Sequence, residues 1–211
     1  MTILAPNGKQ DTGLVKRGNI MCNEIEVNMT DIKQLIDQQT SAQNVEGYSS
    51  NEVMSLMKES VNIHWQQAME LTGQGVHLKR WGYTKLGDLF AQYAEEEHQH
   101  AAIAINRLEF FDQDYQPITV TPRVWKRHDV KAMIEFNLEG VKNAAVVEKA
   151  VIKMSRELSD EMTAQTFIPL LKGSDDGIAE FERMLKLIEQ MGIENFLTLI
   201  ADPVSGLNGG G

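Results

Sequence analysis

The sequence predicts an all-α fold: a four-helix bundle with a long crossover between its second and third helices and a short fifth helix. Three observations predict it. Residues 51–71, 85–111, 129–156 and 159–191 form long segments with apolar side chains at helical spacing, and a short one follows at 193–200. No alternating apolar pattern of strand length competes with them. The linkers also differ in kind. TGQG after the first segment and GYTK before the second read as short turns, whereas QPITVTPRVWKRH between the second and third is long and holds two prolines. A connection of that length can run along a bundle, which leaves the second and third helices parallel.

Composition bounds the rest. With 211 residues, 42% hydrophobic and 24% charged, the chain is long enough for one packed domain with an appendage. The formal charge of −10 disfavours a nucleic-acid surface, which needs a basic footprint, and suits a protein that attracts cations. The single cysteine, Cys22, excludes an intramolecular disulfide and a cysteine-rich zinc site. No run is long and apolar enough for a signal peptide or a membrane span, so the expected location is the cytoplasm.

Residues 1–48 read as an N-terminal arm, with an extended piece at 19–27 and a short helix in TDIKQLIDQQ that Thr30 caps. The apolar face Ile32, Leu35 and Ile36 is too small to stand alone and is expected to dock on the body or on a neighbouring subunit. In the first bundle helix, Met54, Met57 and Met69 read as core filler. The second helix carries the strongest chemical signal. Leu86, Leu89, Phe90, Tyr93, Ala101, Ala104, Ile105 and Leu108 form its core stripe, and Glu97 and His100 occupy the gap in that stripe. A carboxylate and an imidazole three residues apart face the same side and can grip one ion together. The blander reading is a satisfied core histidine beside solvated acids, because runs such as Glu95, Glu96 and Glu97 are usually solvent faces.

These residues resemble those of bacterioferritins. ESVNIHW resembles the ligand-bearing start of that family's first helix, WGYTKLGDLFAQYAEEEHQHAAIAINRLEFFD its second, DVKAMIEFNL the start of its third, and LKLIEQMGIENFL its fourth helix running into a short fifth. The resemblance covers roughly residues 51–200 and implies a ferritin-like bundle. It needs an insertion of a few residues near TGQG. With that insertion it implies three metal ligands, Glu59, Glu97 and His100; without it, His64 falls where Glu59 would. Such ligands suit Fe(II), and also Mn(II) or Zn(II).

The other half of the family's di-iron centre is missing. Its third-helix glutamate falls on Val141 and its second Glu-x-x-His on residues 174–177, and no histidine follows His128. Glu139 and Glu148 are expected to be satisfied by a neighbour or by water, and Asp175 and Asp176 to be exposed. Pro169 and the run KGSDDG predict a kink or break in the fourth helix. The family's haem-ligating methionine is replaced by His98. Histidine can ligate haem, but an exposed histidine with haem binding lost is the stronger reading.

The expected function is iron binding, slow Fe(II) oxidation by a half-retained di-iron site, and storage in an oligomeric cage. The alternative is a ferritin-fold structural or partner-binding subunit that has lost most of this chemistry, including one that co-assembles with an active subunit. Ile193, Phe196, Leu197 and Ile200 give the fifth helix a face suited to packing in a closed homo-oligomer, with residues 202–211 as a flexible tail.

Overall fold

A computed structural model describes residues 50–116 and 119–203. The expected arm, residues 1–48, lies outside the described residues, as does the tail beyond Pro203. The chain runs α1 (Asn51–Arg80), α2 (Thr84–Phe110), α3 (Val130–Glu157), α4 (Glu161–Met191) and α5 (Ile193–Ile200), with no strand among the described residues.

Three of the four long helices start on a polar side chain that satisfies an otherwise orphaned amide. Ser50 accepts from Val53 N at 3.4 Å, Asp129 from Ala132 N at 2.9 Å and Asp160 from Thr163 N at 3.0 Å. Helix α2 has no cap of its own. Asp202, 118 residues further on, accepts from the Thr84 hydroxyl at 2.6 Å and lies 3.3 Å from its amide, so the first described residues of the expected tail are fastened to the start of α2.

Contacts along the helices fix their directions. Gly75 of α1 meets Gly87 of α2 while His64 meets Glu97, so the two are antiparallel. Gln74 bonds Asn137 at 2.6 Å and His64 faces Glu148, so α1 and α3 are antiparallel too. Consequently α2 and α3 run parallel, as the long crossover requires. That crossover is pinned by Arg123. Its backbone amide and guanidinium reach buried Glu70 at 2.5 and 2.9 Å, and its guanidinium lies 3.9 Å from the centre of the Phe136 ring.

Two expectations about helix boundaries are corrected. TGQG is not a turn: α1 continues through it to Arg80, and the reversal falls at Gly82, whose φ of +85° is the left-handed conformation glycine tolerates. The glycine at position 75 serves a close crossing instead. A Cβ there would lie 2.9 Å from the Gly87 carbonyl oxygen, and one on Gly87 would lie 2.8 Å from the Gly75 carbonyl oxygen. The expected break in α4 is also absent, since the helix runs unbroken through Pro169 and KGSDDG. Pro169 is exposed, so the carbonyl it fails to bond faces water, while buried Phe167, Leu170, Ser174 and Phe181 hold the helix against the bundle. Of the three methionines expected in the core, Met54 and Met57 are buried but Met69 is 51% exposed.

The apolar core is divided. One cluster gathers Val53, Met57, Val61, Ala104, Leu108 and Phe167, and the other Leu78, Phe90, Met133, Ile134, Phe181 and Ile188. Between them every long helix turns polar or loses its side chains: His64 and Gln67 on α1, Glu97 and His100 on α2, Glu148 on α3, and Gly173 to Gly177 on α4. A gap of this kind, repeated at one level on four helices, weakens packing and asks for a function.

Candidate metal centre

The Gly75–Gly87 crossing sets the register from which the centre follows. His64 lies eleven residues before Gly75 and Glu97 ten residues after Gly87, so in an antiparallel pair the two arrive at the same level. His64 Nδ1 stands 2.6 Å from Glu97 Oε2. On the other side of its ring, His64 Nε2 lies 3.2 Å from Glu148 Oε1, close in distance but off the direction of a hydrogen bond. His100, one turn along α2 from Glu97, places Nδ1 3.9 Å from the same carboxylate oxygen, and its ring centre lies 5.1 Å from that of His64. His64, Glu97 and His100 thus each offer a ligand atom within 4.8 Å of the others.

Burial makes these groups expensive to leave without partners. The side chains of His64 and Glu148 are 1% and 0% exposed, and those of Glu97 and His100 12% and 18%. His64 Nε2, His100 Nδ1 and both Glu148 carboxylate oxygens have no hydrogen-bond partner among the described residues. Burial pushes the His64 imidazolium down, but the charges and contacts of Glu97 and Glu148 outweigh it and raise its pKa to about 9. Burial, then the positive charge of His64, push His100 below the ordinary histidine value. One imidazole is therefore kept neutral and ready to donate a lone pair, while the other holds a single positive charge between the carboxyl groups of Glu97 and Glu148.

The remaining expected residues lie elsewhere. Glu59 is not part of the group: five residues before His64, it sits about 140° around α1 and roughly 7.5 Å along it. Burial raises its carboxyl pKa, partly offset by a hydrogen bond with Asn62. His98 is exposed on the outer side of α2. Asp175 is exposed and pairs with Lys149 at 3.8 Å, and Glu139 is half-exposed, 4.0 Å from Arg123. Val141 and Ser174, where the second half of a di-iron centre would fall, are buried.

His64 and Glu148, one the alternative to Glu59 and the other expected to be satisfied by a neighbour or by water, each interrupt an apolar stripe. His64 continues the buried stripe Val53, Met57, Val61, Ala68 and Leu71 of α1. Glu148 continues Val141, Ala145 and Ile152 of α3, and its neighbour proves to be His64. An ionisable residue on an apolar stripe is the same signal that singled out Glu97 and His100.

Comparisons with known proteins agree with this architecture. The ferritin-like domain family matches residues 44–191. A bacterioferritin of Brucella melitensis biotype 1 is 30% identical over 154 residues, which span 72% of this chain and 90% of that protein. With the bundle, the long crossover and the short fifth helix in place, the chain belongs to the bacterioferritin and ferritin-like family.

Proposed function

We propose that the chain binds Fe(II) at His64, Glu97 and His100, with Glu148 behind them, and serves in iron binding and storage with slow oxidation of the bound ion. The observation that carries this reading is the set of buried polar atoms without partners, His64 Nε2, His100 Nδ1 and the two Glu148 oxygens, gathered in the gap between the two apolar clusters. The donor chemistry fits. Two carboxylates and two neutral imidazoles balance one divalent cation, and imidazole with carboxylate suits iron among the first-row metals. Ligand atoms around such an ion stand roughly 3 Å apart, so the 2.6 Å His64–Glu97 contact needs to open by only a few tenths of an ångström.

The group around His64 uses the Glu97–His100 pair of α2, the similarly spaced Glu95 and His98 being exposed, and Val141, Ser174 and Gly177 offer no ligands for a partner ion. Each Fe(II) gives up one electron, so a dissolved two-electron acceptor such as dioxygen or peroxide must meet two ions in succession. Oxidation is accordingly slow relative to a paired centre. Metal analysis and Co(II) titration of the purified protein test the site: one ion per chain is expected, and His100→Ala removes it. Two ions per chain, none, or an unchanged stoichiometry in His100→Ala refutes the assignment.

A second reading has its own observation. One nitrogen of His64 faces Glu97 and the other faces Glu148, so the imidazolium itself can serve as the internal cation of a structural subunit. An intact oligomer that takes up no stoichiometric metal selects this reading.

Assembly belongs to the proposal as well. Of the face expected on α5, Phe196 is buried in the chain's own core with Leu197 and Ile200 packed against it, which leaves Ile193, 37% exposed, and Leu199, 58% exposed, as the apolar side chains of α5 open to a second copy in a homo-oligomeric cage. A monomer by light scattering at micromolar concentration counts against cage and storage together. Haem at His98 would need a second copy to cover it, since that side chain is exposed here. Among the described residues no helix is long and apolar enough to cross a membrane.

A further inference from the structure

At the C-terminal end of α1 the fold brings two histidines and two tryptophans together, away from the core centre. His77 lies thirteen residues beyond His64, about 20 Å further along α1. Trp81 follows it by four residues, so the two rings share a helix face and stand 4.4 Å apart between centres. The other two members arrive on the crossover. With Arg123 fastened to buried Glu70, Trp125 comes to lie over Gly73, 3.9 Å from where a Cβ would stand, and its ring centre is 5.6 Å from that of His77. His128, two residues before α3, stacks on Trp81 at 5.0 Å and 25°.

Packing alone does not ask for imidazoles here. His77 Nε2 is shielded from solvent and has no hydrogen-bond partner among the described residues, a cost that a phenylalanine ring in the same stack would avoid. His128 is exposed, and stacking on Trp81 engages the face of its ring while leaving the nitrogens at its edge available. The two imidazole centres stand 5.7 Å apart. Imidazoles that share one ion through nitrogens about 2.0–2.1 Å from it have their centres roughly 5–6 Å apart. The His64 and His100 rings of the core centre are spaced alike, at 5.1 Å.

The charged residues beside these in the chain select the kind of ion. Arg80, Lys126 and Arg127 are exposed, Lys79 is paired with Asp88 at 2.7 Å, and Asp129 adjoins His128. That balance is positive, which disfavours oxygen-seeking ions such as Mg(II) and Ca(II) and leaves an ion bound through nitrogen. Copper leads the divalent first-row ions in affinity for such donors. Two imidazoles completed by water hold Co(II) far more weakly, so the Co(II) stoichiometry expected of the core centre stands. We propose that His77 and His128 form a second metal site, which takes one copper ion independently of the core centre.

The test uses the full-length chain carrying His100→Ala, which removes a core ligand, and Trp65→Phe, which leaves Trp81 and Trp125 as its tryptophans. Cu(II) is the probe, with tryptophan fluorescence and electron paramagnetic resonance as the readouts. One Cu(II) per chain should quench most of the emission and give a spectrum split by nitrogen ligands. His77→Phe and His128→Phe keep an aromatic ring in the stack and should each lower Cu(II) affinity at least tenfold. His128 is exposed, so its variant serves if the other folds poorly. Unchanged affinity in His128→Phe, or Cu(II) that binds without quenching, shows an adventitious ion only and overturns the proposal. The chains compared share the same core, so failure of the metal reading of His64, Glu97 and His100 would leave this outcome untouched.

Discussion

Replacing His64 with Leu in chelator-treated protein removes the cation between Glu97 and Glu148, and the structure sets the size of the loss. Glu148 is fully buried, and its one ion-pair contact among the described residues is His64 Nε2 at 3.2 Å. Folding raises the His64 pKa from 6.5 to about 9, which corresponds to about 3 kcal/mol of stabilisation by the protonated form. The usual cost of breaking a buried ion pair from one side, roughly 3–5 kcal/mol, agrees. For a chain of this length that is a fall in Tm of roughly 6–12 °C at pH 7. Because the proton is held more tightly in the folded state, the stabilisation is complete below about pH 6.5 and drains away as pH rises through about 9. Thermal melts of wild type and His64→Leu should therefore converge between pH 7 and pH 10, and other titrating groups cancel in the difference. Adding Glu148→Gln to His64→Leu should recover most of the loss by removing the stranded carboxylate. A Tm within about 2 °C of wild type at pH 7, or a gap that does not change with pH, refutes this account of the core.

Three further outcomes can be checked with simple variants. Glu59→Gln should leave metal stoichiometry unchanged and should not lower the Tm at pH 7. Burial raises that carboxyl's pKa, so any stability it contributes is present only below about 4.5 and is lost as it ionises; a lost metal ion would restore Glu59 to the centre. Gly75→Leu drives a side chain into the Gly87 backbone and should cost about 1–3 kcal/mol in urea unfolding while weakening Co(II) binding, because the same crossing sets the level of His64 against Glu97. Deleting residues 1–48 should leave the helical far-UV signal of the bundle intact, and its collapse would make the arm part of the core.

Periodicity and connection length were enough to read the bundle from the sequence. Apolar residues every three or four positions locate the long helices, and thirteen crossover residues with two prolines make α2 and α3 parallel. Glycine and proline misled at two places because their local preference was overruled by packing. Gly75 is there for the approach of another backbone, and Pro169 sits where its missing bond faces water. The turn expected at TGQG bears on the choice of ligands as well. Ending the first helix at Leu71 supported an insertion near TGQG, and with it Glu59 in place of His64. Glu97 and His100 were legible because they interrupt a stripe. Glu148 interrupts its own stripe just as plainly, but its meaning depends on a contact with another helix, which no pattern along α3 discloses.

The fastening of Asp202 to Thr84 has a mechanical side. At the opposite end of α2, Arg107 donates to Asp160 at 2.9 Å and to Thr163 at 2.7 Å, so this helix is tethered to the α4–α5 arm at both extremities, with the His100–Gly173 contact between them. Sliding one arm past the other by a single residue, about 1.5 Å, would have to undo both tethers together. With both of its ends fastened, α2 holds Glu97 and His100 at a fixed level against Gly173, and an ion arriving beside them would find two of its ligands already held in place.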